Sequence, residues 1–323
     1  MKFKNLGRSG LSVSRICLGT MNFGPETEET TSHSIMDSAL EYEINFFDTA
    51  NRYGGAGHWG RTEEILGRWI AQGGGRREKI VLATKLYGET DTWPNNQGVS
   101  ALNIRRACDA SLKRLQTDYI DLYQMHHIDR NTPWEEVWQA MEVLVAQGKI
   151  LYVGSSNFGG WHLAQAQAAA ASRNFMGLIS EQSIYNLVVR DIEREVIPAA
   201  QNYGIGLIPW SPLNGGLLGG VLKKEREGKR RLEGRSKEAL DAIRPRIEAY
   251  ENFCEEIGQE PGEVALAWLL AQPGVTAPIV GPRTQSQLDS AIRALDVELT
   301  EAHLASLDEI FPRYKTSPED YAW

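Results

Sequence analysis

Ile80-Val81-Leu82-Ala83-Thr84-Lys85 is the stretch on which the reading of the fold turns. Its opening apolar run is too short for a helix and reads as a strand buried on both faces. The run ends on a lysine, and a long helical pattern, Ala101 to Leu115, follows it. Two neighbours behave the same way: Asn45-Phe46-Phe47 ends on Asp48, and Tyr119-Ile120-Asp121-Leu122-Tyr123 leads to His126. Further bursts lie at Ile16-Cys17-Leu18, Ile150-Leu151-Tyr152-Val153, Leu178-Ile179, Ile205-Gly206-Leu207-Ile208 and Ala277-Pro278-Ile279-Val280. Helical patterns separate almost every pair: Glu29 to Tyr42, Glu63 to Ala71, Glu135 to Gln147, His162 to Ser172, Asp191 to Tyr203 and Ala239 to Leu270. Eight strand–helix alternations imply a parallel sheet, and eight strands close a (β/α)8 TIM barrel. One barrel domain over residues 1–323 is expected.

Three stretches depart from the alternation. Lys2-Phe3-Lys4 and Ser12-Val13-Ser14, around Gly7 and Gly10, predict an N-terminal β-hairpin ahead of the barrel. Tyr87 to Ser100 and Ser211 to Arg235 are long for βα connections and would emerge on the carboxyl face. Two extra helices are predicted after the last strand, near Gln285 to Leu295 and Glu301 to Ile310. Thr132-Pro133-Trp134-Glu135 reads as an N-cap, a first-turn proline and a capping-box glutamate.

A net charge of -8 disfavours nucleic acid, which needs a basic footprint. The mixed run from Lys223 to Arg231 reads as a solvated face or loop. Mean hydropathy of -0.36 and the lack of a long apolar run argue against a membrane span. Met1-Lys2-Phe3-Lys4-Asn5 has no signal-peptide core, so a cytoplasmic protein is expected. Cys17, Cys108 and Cys254 lie far apart without metal-type spacing and read as structural thiols.

Polar residues at the carboxyl ends of parallel strands are where α/β proteins build sites. Alternation puts Val81, Ala83 and Lys85 on one face, which sends the lysine into the barrel mouth. Buried lysine needs an anion, and Asp48 on the adjacent strand supplies one, as a structural ion pair or as part of a site. Tyr53, five residues on, is close enough to fold over the same mouth, where a cation would pull its pKa of ~10 downward. His126 and His127 follow the next strand. Alternation admits one of them to the interior and weakens a di-histidine metal reading.

Gly55-Ala56-Gly57-His58-Trp59-Gly60 has the form GxGxxG, but it does not follow its strand directly and reads as a loop. Asn214-Gly215-Gly216-Leu217-Leu218-Gly219-Gly220 lacks a P-loop lysine. Val280-Gly281-Pro282-Arg283-Thr284 opens a helix after the eighth strand, where barrels commonly hold phosphate. Arg283 adds a bidentate donor. Thr284 to Gln287 also fits a plain capping box.

Taken together, the chain resembles the aldo-keto reductases, in their bacterial and potassium-channel-β-like branches. Leu18-Gly19-Thr20-Met21, Phe47-Asp48-Thr49-Ala50 with Tyr53, Ala83-Thr84-Lys85 and Asp118 through His126 carry the resemblance in the first half. Gly154-Ser155-Ser156-Asn157-Phe158, Glu181-Gln182, Tyr185-Asn186-Leu187 and Pro209-Trp210-Ser211-Pro212-Leu213 carry it in the second. The resemblance implies NADPH-dependent reduction of a small carbonyl substrate without a metal. It implies a catalytic set in which Tyr53 donates the proton, Lys85 lowers its pKa, Asp48 holds Lys85 and His126 orients the carbonyl. It assigns Ser156, Asn157 and Gln182 to the carboxamide, Trp210 to the nicotinamide face, and Arg283 and Gln287 to the 2′-phosphate and adenine. Gly19, Thr20, Met21, Asp48, Ser211, Leu213 and Gly281 complete the cofactor-side set. His127 stands where relatives often carry an aromatic residue, and Ser290-Ala291 where many carry Glu-Asn.

Two other functions fit the residues: a Schiff-base aldolase or lyase using Lys85, and a slow NADPH-binding redox-sensing subunit. Trp59, Trp93, the Tyr87 to Ser100 loop and Tyr321-Ala322-Trp323 are candidate walls of an apolar substrate pocket.

Overall fold

The structure, a computed structural model, describes residues 1–228 and 234–322. Lys229-Arg230-Arg231, the end of the mixed-charge run, and Trp323 lie outside the described residues. The hairpin is formed by β1 (Phe3–Asn5) and β2 (Ser12–Ser14), with Phe3 opposite Ser14. Eight parallel strands follow. They are β3 (Cys17–Gly19), β4 (Phe46–Asp48), β5 (Val81–Leu86), β6 (Ile120–Met125), β7 (Ile150–Ser156), β8 (Leu178–Gln182), β9 (Gly206–Leu207) and β10 (Ile279–Val280). Each predicted burst holds one of them, and their order is β10-β3-β4-β5-β6-β7-β8-β9. Closure runs through the segments around β9 and before β10. Leu207 bridges Val275, Thr276 N–H donates to Leu207 O at 2.8 Å, and Ile279 N–H donates to Pro209 O at 2.8 Å. The result is a (β/α)8 barrel.

Strand alternation sorts the apolar residues into two layers. Cys17, Phe46, Val81, Ala83, Leu122, Ile179, Ile208 and Ala277 fill the barrel, and Leu6 and Val13 of the hairpin join that cluster. The hairpin therefore plugs the amino end. Gly7 makes the close approach possible, with φ of +57° and a position where a Cβ would lie 2.4 Å from Ile179 O. Leu18, Phe47, Leu82 and Tyr123 face outward and pack with the helices in the second layer.

The helices are α1 (Glu29–Glu41), α2 (Arg61–Ile70), α3 (Arg76–Lys79), α4 (Ala101–Leu115), α5 (Trp134–Ala146), α6 (Gly160–Ala171), α7 (Val196–Tyr203), α8 (Val221–Arg226), α9 (Gly234–Glu256), α10 (Pro261–Ala271), α11 (Gln285–Arg293) and α12 (Glu301–Ile310). The two helices expected after the last strand are α11 and α12. Among the described residues no helix is long and apolar enough to cross a membrane.

Four local expectations need correction. The pattern from Ala239 to Leu270 is two helices, because Gly258 turns the chain at φ of +67° and Pro261 starts α10. Asp191 to Tyr203 opens as a 3-10 turn, Asp191–Glu193, and only then becomes α7. Ser211 to Arg235 is no plain loop, since α8 and a 3-10 turn at Asn214–Gly216 lie within it. Thr132 does not cap α5: its hydroxyl donates to Asp129, and Pro133 is the N-cap residue.

Candidate active site

Lys85, at the end of β5, is fully buried in the barrel mouth. A buried ammonium is tolerated only when it is fully partnered, and each of its three protons has an acceptor. Nζ lies 2.5 Å from Asp48 Oδ2, 2.9 Å from Thr49 O and 3.1 Å from the Tyr53 hydroxyl. The second Asp48 oxygen accepts from Gln124 Nε2 at 2.9 Å and Gln182 Nε2 at 3.0 Å. Asp48 is thus held from β5, β6 and β8 at once. Gln124 lies within the stretch Asp118 to His126 and has no role in the sequence reading, although alternation from Leu122 directs it inward.

The backbone seats Tyr53 as firmly. Its carbonyl accepts from Gly60 N–H at 3.0 Å and Thr62 N–H at 3.4 Å, where α2 begins. The glycine-rich stretch makes this fold-back possible. Gly54 has φ of +137°, and a Cβ there would lie 2.2 Å from His58 O. The GxGxxG-like pattern is thus a turn that positions the tyrosine.

Electrostatics in the mouth follow from burial. Burial works to discharge Lys85, but Asp48 and Tyr53 outweigh it and hold its pKa above the ordinary lysine value. Burial pushes the Tyr53 phenol upward, and the opposing pull of Lys85 does not overcome it. The expected fall of the tyrosine pKa toward neutrality is therefore reversed, because desolvation was missing from the sequence argument. His126 is pushed down to about 2 by burial, then by the charges of Lys85, His127 and Arg52. It is neutral at physiological pH.

Strand alternation does not choose between His126 and His127. β6 ends at Met125, so strand alternation does not reach the pair. The two rings lie side by side, 5.1 Å apart and 5° from parallel. His126 is the inner one, edge-on to Tyr53 at 5.9 Å, while the exposed His127 meets Tyr87 at 5.4 Å.

A second group adjoins the histidines. Asn157 adopts φ of +60° just after β7. Its Nδ2 donates to His126 O at 3.1 Å and Ser156 Oγ at 3.0 Å, and its Oδ1 accepts from Trp210 Nε1 at 3.1 Å. Ser156 donates to Gln182 O at 2.8 Å. Behind them Glu181, fully buried, accepts from Ser183 Oγ at 2.6 Å, from Phe158 N–H at 3.1 Å and from Ser155 Oγ. Burial raises its pKa to about 7 despite these donors. Glu181 fixes the turn that carries Asn157. Nothing local in the sequence marked Glu181 or its partners, because the register of β7 on β8 shifts between Val153 and Gly154 and alternation does not carry through.

The remaining residues form a rim. Gly19 and Thr20 are buried at the end of β3, with Thr20 Oγ1 donating to Asp48 O at 2.9 Å, whereas Met21 is exposed. Ser211 and Leu213 shape the turn after β9: Ser211 Oγ accepts from Gly215 N–H at 3.3 Å and Leu213 O accepts from Gly216 N–H at 2.8 Å. Gly281 O accepts from Asn22 Nδ2 at 2.8 Å. Arg283 is exposed and lies 3.8 Å from Glu26, and its backbone N–H donates to Gln287 Oε1 at 2.7 Å. The capping box at Thr284 does not form, because the Thr284 side chain caps no backbone N–H. Of the suggested pocket walls, Trp93 is exposed, and the tail docks through Tyr314, Ser317 and Asp320 on Glu193 and Arg194.

The Aldo/keto reductase family profile matches residues 15–311. An uncharacterized oxidoreductase, YrpG, of Bacillus subtilis (strain 168) is 52% identical over 328 residues, covering 100% of each chain. A probable voltage-gated potassium channel subunit beta of Arabidopsis thaliana is 33% identical, over 99% of this chain and 100% of its own. The versiconal hemiacetal acetate reductase of Aspergillus parasiticus is 32% identical, with 96% of each chain covered. With that coverage, and with the barrel already described, the chain belongs to the aldo/keto reductase family, a family of oxidoreductases.

Proposed function

We propose that the protein reduces an aldehyde or ketone to an alcohol with NADPH, in the cytoplasm, with Tyr53 as proton donor. The observation that carries this reading is the bond from Lys85 Nζ to the Tyr53 hydroxyl at 3.1 Å, from an ammonium already anchored on Asp48. NADPH, when bound, supplies the hydride. As the carbonyl carbon accepts it, negative charge grows on the oxygen, and the Tyr53 proton moves there. The raised tyrosine pKa keeps that proton in place until it is needed. Lys85 stabilises the phenolate left behind, and water restores the proton. Neutral His126 donates a hydrogen bond to the same oxygen as charge develops.

The chain's own residues fit the cofactor. Ser156, Asn157 and Gln182 are the amide and hydroxyl groups a carboxamide calls for. Trp210 is half-buried, with its indole edge tied to Asn157. Arg283 stands ahead of α11, whose leading turn has no side-chain cap. The free, buried thiols of Cys17, Cys108 and Cys254 suit a reducing compartment.

The test is oxidation of NADPH across a panel of aldehydes and ketones. Turnover with several of them is expected. Tight NADPH binding with no consumption would replace this reading with that of a redox-sensing subunit. Borohydride trapping of an adduct on Lys85 would replace it with that of a lyase. The three acceptors around Nζ and its raised pKa argue against a free lysine nucleophile.

A further inference from the structure

Arg52 precedes Tyr53 and carries a charge that the reaction described above does not use. Its guanidinium lies over the Trp59 ring at 4.9 Å. Its stem passes Gly88 so closely that a Cβ there would lie 2.4 Å from Arg52 Cδ. The arginine is therefore clasped between the loop after β4 and the loop after β5, yet it remains exposed. Among the described residues no carboxylate or carbonyl pairs with it, and its guanidinium meets the Trp59 face.

Neighbouring charges do not cancel it. Lys85 is balanced by Asp48 at 2.5 Å. His126 is uncharged, and the Arg52 charge is among the causes that hold the pKa of both His126 and His127 down. Tyr53, His126, His127 and Tyr87 form a continuous chain of ring contacts at the same mouth. A cation without a carboxylate partner, set into the wall of a mouth in a protein of net charge -8, attracts anions.

We infer that Arg52 is a specificity-determining residue, and that the preferred substrate is a carbonyl compound bearing an anionic carboxylate or phosphate. This rests on the reductase reading. The carbonyl oxygen meets Tyr53 and His126 while the anionic group takes bidentate hydrogen bonds from the guanidinium. The Trp59 face orients the guanidinium, and Gly88 leaves the space it needs.

The experiment compares matched pairs with NADPH: succinic semialdehyde against butanal for a carboxylate, and glyceraldehyde 3-phosphate against glyceraldehyde for a phosphate. Wild-type kcat/KM is expected to favour one charged member, which identifies the anion. Arg52→Gln is expected to cut that charged-to-neutral ratio by about ten- to a hundredfold, and Arg52→Lys to restore part of it. The preference is also expected to shrink as salt screens the pair. An equal loss on both members of each pair, or no charged preference in the wild type, overturns the inference and leaves the reductase reading standing. Binding of 4-hydroxybutyrate and inorganic phosphate is measured by calorimetry as well. Should no carbonyl be reduced, anion binding lost in Arg52→Gln sustains the anion site without the reductase reading. Binding unchanged by the substitution defeats it.

Discussion

Lys85 and Arg283 are both cations set beside a carboxylate, and the protein treats them in opposite ways. Lys85 has no exposed surface and three partners between 2.5 and 3.1 Å. The Arg283 side chain is 55% exposed and meets Glu26 at 3.8 Å. Inside the barrel an unpaired charge is prohibitive, so every proton is assigned and the geometry has little freedom. On the rim, solvent already stabilises the charge and the pair is worth little. A fixed inner cluster suits proton transfer at a defined atom. A loosely held outer arginine suits a ligand that must displace its partner.

The largest expected effect lies inside. Tyr53→Phe should keep NADPH affinity and lower kcat by roughly 10²- to 10⁴-fold, the range for general acid catalysis. Turnover near the wild-type rate would break the inner half of the contrast. Next comes Asp48→Asn, which leaves the Lys85 ammonium buried without a counter-charge. Urea unfolding should show a loss of about 3–5 kcal/mol. A loss no larger than that of an exposed pair would mean that solvent reaches the site.

A pH series sharpens the comparison from a third position. Glu181 is raised from 4.5 to about 7 in the folded protein. As pH rises through that interval the unfolded chain ionises first, so this carboxyl removes stability, of order 3 kcal/mol by pH 7. The Tm of Glu181→Gln should therefore gain on the wild type as pH increases from 4.5 to 7. A constant offset between the two curves would show that the carboxyl ionises at its ordinary value. The smallest effect is expected on the rim. Arg283→Ala should raise the Kd for NADPH by about tenfold, near 1.4 kcal/mol, and that for NADH much less. Equal losses for the two would remove Arg283 from the phosphate.

Much of this was legible in the chain. All eight strand bursts and the ends of α4 and α12 follow from short-range periodicity, which the backbone enforces wherever one face is buried. Lys85 facing Asp48 was legible too, since it needs only alternation and adjacent strands. The reading failed where a rule ran past its element. Alternation was carried one step beyond β6 to His126 and His127, and one helical pattern was carried across Gly258 and Pro261. The Tyr53 pKa failed for another reason. A neighbouring cation can be guessed from a sequence, whereas the extent of desolvation cannot.

What the sequence determined by itself, then, is the barrel, the hairpin ahead of it and the placement of Asp48, Tyr53, Lys85 and His126 where strands run out. Those outcomes depend on periods of two and 3.6 residues and on turn chemistry, which are local. The tertiary structure alone decided the grip of Gln124 and Gln182 on Asp48, across 76 and 134 residues of chain. It alone decided the burial of Glu181, the stacked histidines and the clasp of Arg52 between Trp59 and Gly88. Such contacts arise only when the sheet curls and closes, because closure sets which side chains from distant strands share one small, dry volume.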